Sequence, residues 1–260
     1  MNSPIQPPLD ELLAFAGELA DLARPIAMEY FRGPLEIDSK ADLSPVTVAD
    51  RAIEAAMRRR IESRFPDHGI LGEEFASRPG DRFTWVLDPI DGTRSFITGM
   101  PLFGTLIALL QGGKPVLGVV DFPALSERWT GAAGQATRHQ SKAARTSACL
   151  QLADAHCYST SPDLFVAEDL QRFNAVSSRA SMRRFGGDCY AYALLASGHC
   201  DLVVEAGLQA YDYLPLVSII EGAGGRISDW QGRPLTMESD GRVLAAATTA
   251  LWSESLAHLA

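Results

Sequence analysis

Apolar residues recur at helical spacing near the start of the chain. Leu13, Phe15, Ala16, Leu19, Ala20 and Ala23 share one face, and Asp10 is placed to cap the first turn. Pro25 should kink this helix or mark its last turns. A second helical pattern, Ile53, Ala56, Met57 and Ile61, follows Thr47 and Asp50, whose spacing fits a capping box with Asp in place of Glu. The opposite face carries Arg51, Arg58, Arg59 and Arg60 and reads as a solvated surface. A polar loop with Lys40, Asp42 and Ser44-Pro45 separates the two helices.

The pattern then shortens to that of strands. After a turn at Phe65-Pro66-Asp67-His68-Gly69, Ile70 and Leu71 form a short strand ending at Gly72-Glu73-Glu74, and Thr84 to Leu87 form another ending at Asp88. Leu102 to Leu110 and Val116 to Phe122 are apolar strands joined by a hairpin at Gln111-Gly112-Gly113-Lys114. Residues 130–150 are small, polar and weakly patterned. The boundary between an N-terminal α+β part, 1–140, and a C-terminal α/β part, 141–260, is placed there. Beyond it the pattern predicts a helix at Tyr190 to Ser197, a strand at Asp201 to Ala206, and a helix at Tyr213 to Gly222 stopped by Gly222, Gly224 and Gly225. Strands at Arg226 to Trp230 and Val243 to Ala247 follow. Such alternation implies stacked layers of helices and sheets.

The 260 residues suffice for one large domain or two small ones. With 47% hydrophobic and 21% charged residues, the chain can bury a core without disulfides. No apolar run approaches the ~20 residues of a membrane-spanning helix. The start, Met-Asn-Ser-Pro-Ile-Gln-Pro-Pro, lacks the cationic and apolar segments of a signal peptide, so a cytoplasmic location is expected. A net charge of −9 argues against nucleic acid as a partner, whereas a small anionic substrate remains compatible if a metal inverts the local charge. Cys149, Cys157, Cys189 and Cys200 form no Cys-x-x-Cys, and the five histidines are scattered, so a zinc site is not expected.

Candidate chemistry lies in acidic groups at the predicted strand ends: Glu73-Glu74, Asp88 with Asp91, and Asp212. Carboxylates gathered in this way need neutralising, and oxygen ligands without His or Cys select hard divalent cations. In Asp88-Pro89-Ile90-Asp91-Gly92-Thr93 the two Asp residues can face one metal centre, with the Ile90 carbonyl as a further ligand. Gly92 permits a tight turn, and the amides of Gly92 and Thr93 at a helix start suit a phosphate oxygen. An ordinary Asx-turn loop with solvated acids is the plainer reading of this stretch alone. The Asp-x-Asp-Gly-Thr loop of haloacid-dehalogenase phosphatases is one residue shorter and follows the first strand of its fold, so it does not fit.

Four motifs in order resemble those of the inositol monophosphatase family. They are Lys40-x-Asp42 with Ser44-Pro45-Val46-Thr47-x-Ala49-Asp50; Gly72-Glu73-Glu74; Trp85 through Phe96; and Tyr211-Asp212-Tyr213 with Glu221-Gly222-Ala223-Gly224-Gly225. The resemblance spans Lys40 to Gly225. It implies a layered αβαβα sugar-phosphatase fold in two subdomains, a Mg²⁺-dependent phosphomonoesterase, and a homodimer. It also implies a ligand set. Glu73, Asp88 and the Ile90 carbonyl would hold one Mg²⁺; Asp88, Asp91 and Asp212 a second; Glu73 and waters a weaker third; and Mn²⁺ could substitute. Thr93, hydrogen-bonded to Asp42, would help deprotonate the attacking water, and Glu73 counts with them among the catalytic residues.

Three segments are similar to the histidinol-phosphatase branch: residues 93–107, Gly186-Gly187-Asp188-Cys189-Tyr190-Ala191-Tyr192, and Asp201 to Leu208 running into Tyr211-Asp212. Histidinol phosphate carries an ammonium and an imidazole, which Asp188 and Glu205 could pair with beside Asp212. Asp91, Gly92, Thr93 and Asp212 are also expected among the substrate-binding residues, and Arg94 and Arg184 could reach the phosphate or the pocket rim. A helix cap is the plainer role for Asp188, and a surface salt bridge for Glu205. Carboxylates also serve hydroxyls, so inositol-1-phosphate or another small phosphate ester remains the alternative substrate. A catalytically silent binding relative is disfavoured because Glu73, Asp88, Asp91, Thr93 and Asp212 are all present.

Overall fold

The computed structural model describes residues 7–33, 37–39 and 45–259. Helix α1 (Leu9–Tyr30) is followed by a two-stranded ribbon, β1 (Ile37–Ser39) antiparallel to β2 (Pro45–Thr47), and by α2 (Val48–Arg64). The capping box of Thr47 and Asp50 is present, which starts α2 where the sequence places it. In α1 the capping expectation needs correction: Pro8 occupies the N-cap and Asp10 lies inside the first turn. Leu12 joins the buried face, and Leu13 packs against the same core while half-buried. Pro25 falls within the helix, which continues to Tyr30.

A seven-stranded sheet follows, in the order β3-β4-β5-β6-β7-β8-β9. Its members are β3 (Gly69–Gly72), β4 (Phe83–Asp91), β5 (Gly104–Gln111), β6 (Lys114–Phe122), β7 (Glu127–Ala132), β8 (Arg138–His139) and β9 (Lys142–Ala143). The short helix α3 (Thr93–Ile97) lies between β4 and β5. Only β3 and β4 are parallel; the other neighbours run antiparallel. The expected hairpin joins β5 to β6, but β5 begins at Gly104 rather than Leu102. Strand β4 continues through Asp88 to Asp91 instead of stopping at Leu87.

The second sheet has the order β11-β10-β12-β14-β13, built from β10 (His156–Ser159), β11 (Met182–Phe185), β12 (Leu202–Glu205), β13 (Arg226–Ser228) and β14 (Val243–Ala246). Helices α4 (Ala167–Ser177), α5 (Tyr190–Ala196), α6 (Ala210–Gly222) and α7 (Thr249–Leu259) complete the chain. The polar stretch 130–150 includes β8, β9 and the end of β7, so the first sheet extends to Ala143.

Three apolar cores separate five layers. One lies between α1–α2 and the first sheet, where Leu19, Ile53 and Met57 meet Trp85, Leu87, Ile107 and Leu109. On the opposite face of the same strands, Val86, Leu106, Ala108 and Leu110 pack with Tyr192, Leu195, Leu214 and Ile219 of α5 and α6. The second sheet closes this core with Val203, Val243 and Ala245, and its other face packs Val204, Leu244 and Ala246 on α4 and α7. Successive side chains of a strand point to opposite faces, so a strand covered on both sides reads as a continuous apolar run, as Leu106 to Leu110 does. The result is the expected layered αβαβα fold. Helix α6 approaches the first sheet so closely that a Cβ on Gly118 would lie 2.0 Å from the Pro215 carbonyl oxygen. That contact needs a glycine.

Candidate active site

The site forms where β4 ends. The register of β4 on β5 shifts between Asp88 and Asp91, an irregularity of the kind that re-aims side chains at a strand end. Pro89 has no N–H to leave unpaired there, and its carbonyl accepts from Thr105 Oγ1 at 2.9 Å. Gly92 then turns the chain at φ +80° and serves as N-cap of α3. The Thr93 hydroxyl donates to the Ile90 carbonyl at 3.2 Å.

Carboxylate oxygens of Asp88, Asp91 and Asp212 all lie within 4.8 Å of one another. Asp212 reaches them from the first turn of α6, not from a strand end as the sequence suggested. Its carboxylate accepts the Gln209 N–H at 2.7 Å in a capping box. Helical geometry therefore fixes Asp212 from the second half of the chain. Asp91 is held across the same junction by the Cys189 N–H, 2.9 Å from Oδ2. Glu73, just beyond β3, lies close enough to Asp88 to raise its pKa by charge and by hydrogen bonding.

Burial pushes the carboxyls of Asp88 and Asp212 well above the usual range, and the charges of Glu73 and Asp91 add to it in both. Asp91 is pushed up to about 7 by burial and by the nearby Asp188. Carboxylates packed this way either share protons or surround a cation. Asp88 Oδ1 is buried without a hydrogen-bond partner among the described residues. A buried oxygen in that state suits a cation ligand. The donor set is entirely oxygen, so the residues present fit a hard divalent cation.

Beside this cluster is a cavity of about 110 Å³. It is lined by the ligand residues Asp91 and Asp212 and by Asp188, Glu205, Tyr192 and Thr160, among others. Glu205 ends β12 and is buried rather than paired on the surface. It accepts from the Thr160 N–H at 2.7 Å and the Thr160 hydroxyl at 2.9 Å, yet burial still pushes its carboxyl up to about 8. Asp188 precedes α5 at φ +44° and accepts a hydrogen bond from the Ser95 hydroxyl. Gly92 lies directly against it: a Cβ there would be 3.0 Å from Asp188 Oδ2. Asp188 is thus no cap for α5, whose N-cap is Cys189.

The structure brings together Glu73, Asp88, Asp91, Gly92, Thr93, Asp188, Glu205 and Asp212. Arg94 is exposed, and its charge acts on Asp188. Arg184 is exposed on the edge strand β11 and is not among the residues lining the cavity. Asp42 lies outside the described residues. Two groups escaped the sequence reading. Asp50, a capping residue that also ends the first motif, is buried near Glu73 and Glu74 and raised to about 6, chiefly by desolvation. Its signal is that it shares the buried face of α2 with Ile53, Glu54 and Met57. Tyr192 belongs to the core between the two sheets and also lines the cavity. It is buried, and its hydroxyl has no hydrogen-bond partner among the described residues.

The model of the inositol monophosphatase family matches residues 8–260. The bifunctional phosphatase IMPL2 of Arabidopsis thaliana is 47% identical over 242 residues, 92% of this chain and 70% of that protein. A histidinol-phosphatase of Chlorobaculum parvum is 36% identical over 236 residues, 90% of this chain and 91% of that protein. Among solved structures, an inositol monophosphatase from Zymomonas mobilis matches with a TM-score of 0.90 at 46% identity, over 98% of this chain and 99% of that one. The chain is a phosphatase and belongs to the inositol monophosphatase family.

Proposed function

We propose that the protein is a Mg²⁺-dependent phosphomonoesterase whose substrate is L-histidinol phosphate. The observation that carries this reading is the acidic cavity: Asp188 and Glu205 line it together with Asp91 and Asp212. A buried and a half-buried carboxyl, Glu205 and Asp188, beside the phosphate end of a site favour an ester that carries a cation. An ammonium against them gains charge-assisted hydrogen bonds that a neutral polyol does not offer. The histidinol-phosphatase of Chlorobaculum parvum supports the same reading.

Glu73, Asp88, Asp91, Asp212 and the Ile90 carbonyl are the oxygens that would hold two to three Mg²⁺, with Mn²⁺ as a substitute. Bound divalent cations supply charge that acidifies a water and offsets the negative charge of the ester. The chain's own residues do the rest. The amides of Gly92 and Thr93 receive phosphate oxygens at the start of α3, where no side chain forms a cap. Thr93 Oγ1 donates to the Ile90 carbonyl, so its lone pairs are left to orient the attacking water. Glu73 accepts a proton from that water, which Thr93 holds in place. The water oxygen bonds to phosphorus, the ester P–O bond breaks, and the leaving histidinol oxygen takes its proton from a second, solvent water.

Inositol-1-phosphate is the second reading, favoured by the likeness to the Zymomonas mobilis inositol monophosphatase. The test is phosphate release from both esters side by side, with Mg²⁺ and with EDTA. Mg²⁺-dependent turnover selective for L-histidinol phosphate is expected. A tenfold or greater lead for inositol-1-phosphate in kcat/KM would overturn the substrate assignment and keep the metal chemistry.

A further inference from the structure

Glu54 and Arg58 stand one turn apart on α2, joined by an ion pair of 2.7 Å. The Glu54 carboxylate is fully buried, a costly placement unless its oxygens are filled. They take three donors. The Glu74 N–H lies 2.7 Å from Oε2, while the Phe75 N–H at 3.3 Å and Arg58 Nε at 2.7 Å share Oε1. Arg58 also donates from Nη2 to the Phe75 carbonyl at 3.0 Å and lies over the Phe75 ring. These contacts fall on the two residues directly after Glu73. The residue directly before it is fitted to the same carboxylate, because a Cβ on Gly72 would lie 2.0 Å from Glu54 Oε1. One buried side chain therefore meets the backbone on both sides of Glu73.

We propose that the Glu54–Arg58 pair is a positioning element for Glu73: it fixes the turn 72–75 so that the Glu73 carboxylate faces Asp88 and the divalent cation. The inference rests on the reading of Glu73 as a metal ligand. A positioning element differs from a plain structural strut in one measurable way. A strut changes stability alone, whereas this pair also sets cation affinity, and does so only through Glu73. Groups that orient metal ligands typically change affinity by about 10–100-fold when altered.

The test is calorimetric titration of the apo protein with Mn²⁺ alone, with melting curves alongside. In Glu54→Gln an NH₂ replaces one carboxylate oxygen and faces an N–H donor, so part of the turn loses its anchor. Mn²⁺ affinity should fall by about 10-fold or more in this variant. Glu73→Gln should weaken binding similarly. The double variant should be within about twofold of Glu73→Gln, because two residues acting as one unit are not additive. Arg59→Ala, on the exposed face of α2, should leave affinity unchanged. Wild-type affinity in Glu54→Gln, or fully additive losses in the double variant, would overturn the inference. Wild-type affinity in Glu73→Gln would instead overturn the parent reading of Glu73 as a ligand. Should Glu54→Gln fail to fold, Arg58→Lys keeps the charge but loses the forked contact with Glu54 and Phe75. A several-fold loss of Mn²⁺ affinity is expected there, and unchanged affinity overturns the proposal.

Discussion

The Cys189 backbone N–H donates to Asp91 Oδ2 at 2.9 Å, joining the end of β4 to the start of α5 across 98 residues of sequence. Asp91 thus has a structural bond as well as a place in the carboxylate cluster, and one substitution separates the two. In Asp91→Asn the side-chain carbonyl can still accept from Cys189, so the junction survives. Removing a negative charge from beside Asp188 and Asp212 also relieves repulsion. The expected outcome is turnover reduced at least 10³-fold, with a melting temperature in EDTA equal to or above wild type. Phosphate release and calorimetry read the two halves of the prediction. Wild-type kcat would refute the ligand role of Asp91.

Folded-state carboxyl pKa values raised above their unfolded values give a definite sign to the pH dependence. Asp50 at about 6, Asp91 at about 7 and Glu205 at about 8 all bind protons in the folded state at pH values where the unfolded chain has released them. Stability then falls as pH rises, starting near the ordinary carboxylate pKa of ~4 and continuing to about 8. This is opposite to the trend for salt-bridged carboxylates. The melting temperature in EDTA should therefore decrease between pH 5 and pH 8. Mg²⁺ competes with those protons, so it should raise the melting temperature more at pH 8 than at pH 5. A flat or rising profile in EDTA would count against the cluster as described.

The sequence carries the acidic machinery clearly because local patterns frame it. Asp88 and Asp91 close an apolar strand and precede a glycine with positive φ, and Thr47 with Asp50 marks the start of α2. The motif identifies Asp212 but not its element, since the apolar run before it runs on from β12 through Ala206-Gly207-Leu208 into α6 with little to mark the change. Several elements escaped, the helices α4 and α7 among them, and two strands did so for want of periodicity. Strands β10 and β11 have only four residues each, and every side chain of β11 is exposed, so no alternation marks it. Thr160 is part of the cavity only because β10 lies beside β12, a parallel pairing that brings it to Glu205 across 45 residues. Such long-range pairings leave no spacing to read. Glu54 illustrates a third limit. A charged residue on the buried face of a helix is conspicuous only once its partners at Glu74 and Phe75 are known.

Tyr192 offers a prediction in which stability and binding move in opposite directions. Its hydroxyl is buried at the cavity without a hydrogen-bond partner among the described residues. An unsatisfied buried hydroxyl costs about 1–3 kcal/mol. Tyr192→Phe should therefore raise the stability of the ligand-free protein, by up to about 1 kcal/mol once lost packing is included. If the hydroxyl meets the substrate, the same change raises KM several-fold at nearly constant kcat. Urea unfolding and steady-state kinetics on one preparation give both numbers. A destabilised variant would show that the hydroxyl is already satisfied.

Glu205 is where substrate choice is most open to test. Its carboxyl stands at about 8 because burial outweighs the hydrogen bonds from Thr160 and Ser159. An ammonium brought beside it favours the ionised form, so binding an aminated ester at pH 7 should release a proton. KM for L-histidinol phosphate should accordingly fall as pH rises from 6 to 8. Glu205→Gln keeps the shape and can still accept from Thr160, but it cannot ionise. Charge-assisted hydrogen bonds contribute about 1.5–3 kcal/mol. The variant should therefore raise KM for L-histidinol phosphate by about 10–100-fold, flatten its pH dependence between 6 and 8, and leave inositol-1-phosphate much less affected. Equal losses on both esters would assign Glu205 to shaping the cavity and would remove the ammonium from the account of specificity.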